Sequence, residues 1–134
     1  MSKTFGFLLY IACASALFFS CRSTKNMGAR EDFYQFYDRF LTDSTFQMER
    51  VNFPLNGLKY DGDGDSTHVW TPDNWMMLKE PNLEGTGFDR QLQVMGDTLA
   101  TDEIKMENTG FFFKMVYEPI KRKWHLVYLM DSGL

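Results

Sequence analysis

The chain has 134 residues, a formal net charge of −4 and 16% aromatic residues. This length corresponds to one domain, and the aromatic content favours a packed domain over a disordered chain. The acidic balance disfavours nucleic acid as a partner, because the phosphate backbone attracts basic surfaces.

The N-terminus predicts an export signal over residues 1–20. Lys3 precedes an apolar run from Phe5 to Phe19, which is the layout of a secretory signal. The run has 15 residues and is shorter than the roughly 20 residues that a membrane-spanning helix needs. Removal of the signal leaves 114 residues and, because Lys3 is its only charged residue, a net charge of −5.

The stretch LFFSC, which ends at Cys21, resembles the lipobox of bacterial lipoproteins. In that pattern the cysteine is lipidated and becomes the first mature residue. The resemblance implies a chain that is anchored to a membrane through Cys21, with residues 21–29 as a flexible tether. Phe18 departs from the pattern. The alternatives are plain secretory cleavage after Ala14 or Ala16 and an uncleaved anchor. The segment that begins at the cysteine has Arg22 in its second position and no acidic run. Its resemblance to lipoprotein sorting signals implies the periplasmic side of an outer membrane.

The cysteine content excludes several kinds of site. The two cysteines are Cys13, inside the signal, and Cys21. If Cys21 is acylated, the mature domain has no thiol, which excludes disulfides, thiolate zinc sites and a cysteine nucleophile. No GxSxG, HExxH or phosphate-binding glycine loop is present, so the sequence predicts no cofactor and no catalytic residue.

The domain predicted over residues 30–134 begins with two helices. Apolar and aromatic side chains recur at helical spacing within residues 29–43 and predict a core-facing helix. Ser44 and Gln47 form a capping-box pattern for a short second helix. The residues with helical spacing are Phe33, Phe36, Tyr37, Phe40 and Leu41.

Extended segments follow the helices. Alternation from Val51 to Leu55 predicts a strand, and Pro54 favours an edge position because proline lacks an N–H donor. The sequence THVWT, residues 67–71, predicts another strand.

Two connecting segments are less regular. Pro72 predicts a helical turn over residues 72–78, since proline suits the first position of a helix. The segment FDRQLQVMGD, residues 88–97, fits either a helix or a strand.

The last third predicts three strands over residues 98–107, 110–118 and 124–131. Their short connections predict an antiparallel meander. The chain therefore predicts an α+β fold in which N-terminal helices pack on a curved antiparallel sheet. Alternation on the final strand predicts one shared face for Trp124, Leu126, Tyr128 and Met130.

The order of these elements, with the closing KRKWHLVYL, resembles the nuclear-transport-factor-like (cystatin-like) α+β roll. The stretches FYDRFLTDSTFQMERVNFPL and KWHLVYL also resemble a group of small bacterial lipoproteins of unknown function. The resemblance covers most of residues 31–130. It implies a fold and an envelope location, and it implies no catalytic residues.

The stretch YDGDGDSTHVW contains the one candidate metal site. Asp61, Asp63 and Asp65 fit the first three ligand positions of a calcium-binding loop. Ser66 stands where that loop needs glycine, and Pro72 stands where it needs the closing glutamate. Because Asp-Gly pairs between extended segments are typical of hairpins, we predict a turn, with the three aspartates as a weak metal candidate.

The leading functional hypothesis is a non-enzymatic envelope lipoprotein that binds a small ligand or a protein partner on its concave sheet face. One alternative is a small enzyme with a His/Asp acid–base site in the roll pocket. The candidates are His68 with Asp97 or Asp102, and His125 with an aspartate. A purely structural assembly role is the other, and it predicts a filled cone with an exposed apolar patch. The candidate binding residues, chosen because Tyr and Trp recur in binding surfaces, are Trp70, Trp75, Tyr117, Trp124 and Tyr128.

Overall fold

The computed structural model describes residues 28–60 and 62–132 and shows two helices packed on one six-stranded mixed sheet. The sheet order is β2-β1-β6-β5-β4-β3. This architecture confirms the predicted α+β fold. The elements are α1 (Phe33–Thr42), α2 (Ser44–Arg50), β1 (Val51–Tyr60), β2 (Asp65–Trp70), β3 (Phe88–Met95), β4 (Leu99–Met106), β5 (Phe112–Ile120) and β6 (Lys123–Ser132).

The predicted signal and the lipidation residue Cys21 fall in residues 1–27, outside the described residues. Among the residues that are described, no helix is long and apolar enough to cross a bilayer. Ala29, at the end of the predicted tether, already belongs to the fold. Its N–H donates to the carbonyl of Asp97 at 2.6 Å, and it packs against the core.

The helix α1 forms as predicted and buries its whole apolar stripe. Asp32 caps it by accepting the N–H of Gln35 at 2.9 Å. The cap of α2 is Asp43, which accepts the N–H of Phe46 at 3.0 Å. The prediction of a capping box was therefore wrong, because Ser44 lies inside the helix and the side chain of Gln47 is buried in the interior.

The sheet combines a meander with one parallel pair. Strands β3 to β6 pair antiparallel in chain order, which confirms the predicted meander and assigns the ambiguous segment 88–97 to a strand. Strand β1 pairs antiparallel with β2 and parallel with β6. After β2, at one edge of the sheet, the chain crosses to β3 at the other edge. It then returns strand by strand to β6, which lies beside β1.

The predicted edge position of Pro54 is wrong, because β1 lies between β2 and β6. The proline is tolerated there because it sits at an irregularity. The register with β6 shifts between Val51 and Asn56, and the pairing with β2 begins at Leu55. Proline needs no ladder donor at such a bulge.

The predicted shared face of β6 is wrong beyond Val127. Val116 pairs with Tyr128 while Tyr117 pairs with Leu126, so Val127 is an extra residue that reverses the alternation. Leu129, rather than Tyr128, therefore continues the buried face of Trp124 and Leu126.

The connection between β2 and β3, residues 71–87, is named the strap here. The predicted helical turn over residues 72–78 was wrong: one turn closes from Thr71 to Asn74, and residues 75–83 have no helix or strand.

Gln47 explains why the strap stays extended. Its side-chain oxygen accepts from the Trp75 ring N–H at 3.1 Å and from the Leu78 N–H at 2.8 Å. Its side-chain nitrogen donates to the carbonyls of Phe40 and Leu78 at 2.7 and 2.9 Å. A buried amide with every bond made is a strong constraint, and it ties the strap to the helices.

Aromatic side chains fill the concave face of the sheet. Tyr117 on β5 is fully buried and lies under α1. Edge-on ring contacts of this kind stabilise a core beyond simple area burial. The rings of α1 that it meets, with centroids 5.6 to 5.8 Å away, are those of Phe33, Phe36, Tyr37 and Phe40.

Candidate functional site

Three of the predicted binding aromatics lie in the core. Tyr117, Trp124 and Trp70 are 0%, 1% and 6% exposed. The ring N–H of Trp124 donates to the carbonyl of Glu31 at 3.1 Å. These three side chains belong to the hydrophobic core and leave almost no surface for a ligand.

The other two predicted aromatics are half-buried. Trp75 meets the ring of Phe53 edge-on at 5.7 Å and is fixed by Gln47. Its neighbour Met76 is 74% exposed, so methionine rather than the indole forms the exposed surface here. Tyr128 lies on the sheet face opposite Trp124, as a result of the bulge.

The predicted His/Asp pair does not come together among the described residues. His68 lies on the edge strand β2 against the ring of Trp70 at 4.6 Å. His125 places Nδ1 2.7 Å from the carbonyl of Lys123, and partial burial lowers its pKa. Asp102 is on β4, which three strands separate from β2, roughly 19 Å at the usual strand spacing.

The Asp/Gly stretch forms the predicted hairpin turn, since Tyr60 pairs with Asp65. Gly62 and Gly64 have φ of 98° and 143°, which L side chains rarely adopt. No group of three or more His, Cys, Asp or Glu residues that could hold a metal occurs in the described part of the chain. Since Asp61 and the side chain of Asp65 lie outside that part, the weak metal site stays a prediction.

A groove opens at the rim of the roll, between α1, the strap and β3. Its volume is about 530 Å³, within the range of small-molecule sites. We call it the rim groove. Its lining residues are Tyr34, Tyr37, Asp38, Leu41, Thr42, Glu80, Arg90 and Leu92.

A charge network forms the inner wall of the rim groove. Asp102 is fully buried, and its two oxygens accept from Nε and Nη2 of Arg90, both at 3.0 Å. The hydroxyl of Tyr37 donates to Asp102 and accepts from Arg90. Two parallel bonds from a guanidinium fix its orientation, so three elements, α1, β3 and β4, hold one rigid cation.

The outer edge of Arg90 meets a more exposed acid. Nη1 of Arg90 pairs closely with Glu80, and Nη2 lies 3.4 Å from the second Glu80 oxygen. The Glu80 side chain is 59% exposed, against 19% for Arg90. Glu80 follows Leu78 by two residues, so the anchor at Gln47 also places this carboxylate.

The network shifts the pKa of two groups upward. Burial, followed by the hydrogen bond to Asp102, raises the pKa of the Tyr37 hydroxyl. Burial lowers the pKa of the Arg90 guanidinium, but hydrogen bonds to Asp102 and Glu80 outweigh it and the pKa is raised. Tyr37 therefore stays protonated and Arg90 stays charged at neutral pH, as fixed groups rather than proton carriers.

The remaining lining combines apolar surface with an unpaired acid. Tyr34 is 61% exposed, and Leu41 and Leu92 add aliphatic surface. The carboxylate of Asp38 has no partner among the described residues. The two lining carboxylates, on Asp38 and Glu80, outnumber the one lining guanidinium of Arg90, and the buried Asp102 adds a negative charge behind it. The rim groove therefore suits a ligand with a cationic group on an apolar body.

Sequence reasoning missed this network because its members are distant in the chain. Arg90 and Asp102 meet only after β3 and β4 pair, where Leu92 lies opposite Asp102. A signal was present nonetheless. Asp102 alternates with Ala100 and Ile104 on an inward-facing strand, and a charge at such a position requires a partner.

Comparisons with known proteins agree with the fold. A family model for an uncharacterised family matches residues 31–132. A crystal structure of a cystatin-like protein from Bacteroides caccae ATCC 43185 has 23% identity and a TM-score of 0.58, covering 79% of this chain and 80% of that one. An NMR structure of a protein from Bacteroides uniformis ATCC 8492 has 22% identity and a TM-score of 0.56, with the same coverage.

A crystal structure of an NTF2-like protein from Bacteroides fragilis NCTC 9343 has 22% identity and a TM-score of 0.57. The match covers 78% of this chain but only 48% of that one, so this chain spans about half its length. These likenesses show the fold and confirm the predicted resemblance to an uncharacterised family with this roll. No curated protein matches the chain.

Proposed function

We propose that this protein is an exported, lipid-anchored, non-enzymatic module that binds a small ligand in the rim groove. The chain belongs to the uncharacterised family whose model matches residues 31–132. The observation that carries the proposal is a rigid wall of the groove next to the carboxylate of Asp38, which has no partner among the described residues. Arg90 is held by a fully buried carboxylate and a tyrosine hydroxyl. Pre-organised polar groups beside apolar surface are typical of ligand sites.

We expect the ligand to bind at the rim of the roll rather than on the concave sheet face. Tyr117 and α1 fill that face, so a ligand there has to displace packed rings. The rim groove needs no such rearrangement. Its excess of carboxylates and the unpaired Asp38 support a small molecule that joins an amine or similar cation to an apolar group.

The titratable residues that line the groove support a binding role over a catalytic one. Neither histidine lines it, and its tyrosine has a raised pKa. A general base works with a pKa near the operating pH. Tyr37 is therefore a poor base, and its hydroxyl serves as a fixed hydrogen-bonding group.

The ligand proposal is tested with a matched pair of probes and variants. Calorimetric titration with phenethylamine and with 3-phenylpropionate compares a cation and an anion on the same apolar body. Thr42→Trp fills the rim groove, whereas Thr45→Trp places the same side chain on the exposed surface of α2. The proposal expects the amine to bind the wild type and Thr45→Trp, and not Thr42→Trp. Equal binding to all three proteins contradicts it.

The anchor is tested separately from the ligand. Lipid attachment at Cys21 predicts a mature N-terminal peptide that begins at this residue and carries acyl chains, detected by mass spectrometry of the membrane fraction. Cys21→Ser is expected to release the protein from that fraction. An unmodified chain cleaved after Ala14 or Ala16 contradicts the anchor and leaves the ligand test untouched.

A second function, assembly by self-association, is favoured by the filled interior together with the exposed methionines. Met76 and Met77 are 74% and 39% exposed on the strap, and methionine adapts to varied apolar partners. Native mass spectrometry of wild type and of Met76→Ser/Met77→Ser tests self-association. A dimer that the double variant loses supports assembly, whereas a monomer in both cases leaves the rim groove as the functional surface.

A further inference from the structure

The turn between β5 and β6, formed by Lys121, Arg122 and Lys123, is called the basic turn here. The chain enters the fold beside it: the N–H of Arg30 donates to the carbonyl of Arg122 at 2.9 Å. Ala29 is bonded to the neighbouring β3–β4 turn through Asp97. The end of the roll that receives the N-terminal segment is therefore also the end that carries the basic turn.

The basic turn is conformationally unusual. Lys121 and Arg122 have φ of 49° and 67°, and Ile120 pairs directly with Lys123. A two-residue hairpin of this kind normally uses Asn-Gly, because side chains other than glycine are strained at positive φ. Two long basic residues occupy these positions instead, and such departures from local preference are typical of functional sites.

The charges of the basic turn are not used inside the fold. Other basic side chains, such as Arg50, Arg90 and Lys114, form ion pairs. Among the described residues, none pairs with Lys121, Arg122 or Lys123, and the buried Nε of Arg122 has no hydrogen-bond partner. Arg30, also exposed and unpaired, lies beside them.

Carboxylates also lie at this end of the roll. Asp32, Asp97, Glu118 and Glu49 are on the adjoining segments, and Glu31 is paired with Arg50. The acids are dispersed, whereas the three residues of the basic turn follow one another in the chain. The segment that leads to the anchor, residues 22–30, adds Arg22, Lys25 and Arg30 and contains no acidic residue.

The opposite end of the roll has the opposite charge. Because β1 runs parallel to β6, the hairpin after Tyr60, with its Asp/Gly sequence, lies at the far end of the sheet from the basic turn. The ten residues of β6 separate the two ends by roughly 30 Å at the usual rise per residue. The roll is therefore polarised along its strands, with the basic end next to its N-terminal segment.

We propose that the basic turn is a membrane-docking surface that rests on anionic phospholipid headgroups and points the acidic hairpin away from the bilayer. The inference rests on the proposed anchor at Cys21. Cys21 precedes Gly28 by seven residues, which reach at most about 25 Å when fully extended. The anchor thus keeps the basic turn close to the charged surface of the leaflet, where each basic residue adds affinity.

One apolar side chain supports the same orientation. Met95 ends β3 at the basic end of the roll and is 46% exposed. An exposed apolar residue at the same end of a domain as basic ones suits a surface that contacts the interfacial region of a bilayer.

The first test measures binding of residues 22–134, without lipid, to phosphatidylcholine vesicles with and without phosphatidylglycerol. Lys121→Gln/Lys123→Gln is expected to lower the partition coefficient on anionic vesicles by about 25-fold, at about fivefold for each lysine. The matched control is Lys59→Gln/Lys79→Gln, which removes the same charge from two unpaired lysines away from the basic turn. Equal losses in both double variants, or no loss in either, overturn the proposal.

The second test determines orientation on the membrane. Cys21 is the single cysteine of residues 21–134, so a maleimide phospholipid can be coupled there without cellular lipidation. Acetylation followed by mass spectrometry then reports which lysines the anionic membrane protects. The proposal expects slower labelling of Lys121 and Lys123 and unchanged labelling of Lys59. Uniform protection, or none, overturns it. Because the lipid is supplied chemically, this outcome is independent of whether cells lipidate Cys21.

Discussion

Two tyrosines whose rings lie 5.8 Å apart show how the interior of the roll differs from its rim. Tyr117 is fully buried among aromatic rings, and its hydroxyl meets the sulfur of Met115 at 3.1 Å. Tyr37 is 8% exposed and joins Asp102 to Arg90. The interior uses tyrosine for its ring, whereas the rim uses it for its hydroxyl. Aromatic side chains fill the concave face, whereas the network of Tyr37, Arg90 and Asp102 lies at the rim groove.

The largest expected effect comes from removing a ring from the interior. Tyr117→Ala leaves a cavity under α1 and is expected to lower the free energy of unfolding by about 3–5 kcal/mol. Tyr34→Ala, on the exposed side of the same helix, is the control and is expected to change it by less than about 0.5 kcal/mol. Urea unfolding followed by circular dichroism measures both, and similar losses for the two variants refute a filled interior.

Removing only the hydroxyls separates the two regions directly. Tyr37→Phe deletes hydrogen bonds to charged partners and is expected to cost about 1.5–3 kcal/mol. Tyr117→Phe deletes one bond to a weak sulfur acceptor and is expected to cost about 1 kcal/mol or less. If the two variants lose equal stability, the hydrogen bonds of the Tyr37 hydroxyl to Asp102 and Arg90 do not stabilise the fold more than an ordinary hydroxyl contact.

Alkaline pH is expected to weaken the fold through both tyrosines. Burial raises the pKa of Tyr37 and of Tyr117 above that of an exposed phenol, which is about 10. The unfolded chain therefore loses these protons first, and stability that is present below about pH 10 is lost as the pH rises. The double variant Tyr37→Phe/Tyr117→Phe is expected to show a flatter decline in unfolding free energy above that pH. A decline as steep as in wild type assigns the alkaline loss to other groups.

The smallest expected effect concerns His125, outside both regions. Burial lowers its pKa, so the unfolded chain binds a proton more readily than the folded one. Stability is therefore expected to fall as the pH drops below about 6.5. His125→Gln removes this contribution, and unfolding curves measured through that range are expected to show a shallower slope than wild type. An unchanged slope means that His125 does not contribute to the acid sensitivity.

The sequence predicted the parts of this fold that depend on local periodicity. The stripe of α1, the hairpin at the Asp/Gly run and the final meander follow from spacing and turn chemistry. It did not predict features that depend on pairing between distant strands. The extra Val127 reverses one face of β6, and Pro54 sits inside the sheet because a bulge spares it a partner.

The rim groove illustrates the same limit. Tyr37, Arg90 and Asp102 come from three elements, and only tertiary structure brings them together. Aromatic residues were the natural candidates from sequence, yet large rings are also what a core requires. Trp124 and Tyr117 are buried for that reason, while the chemistry of the groove comes from charged residues that look ordinary in sequence.

The central claim is that ligand binding takes place at the rim and not in the interior. An NMR titration of the ¹⁵N-labelled wild-type protein with phenethylamine tests it most directly. The account predicts saturable shifts confined to amides that border the rim groove, such as Tyr34, Asp38 and Leu92, with those of Tyr117 and Leu126 unmoved. Shifts centred on Tyr117 and Leu126 place the ligand under α1 and contradict the account.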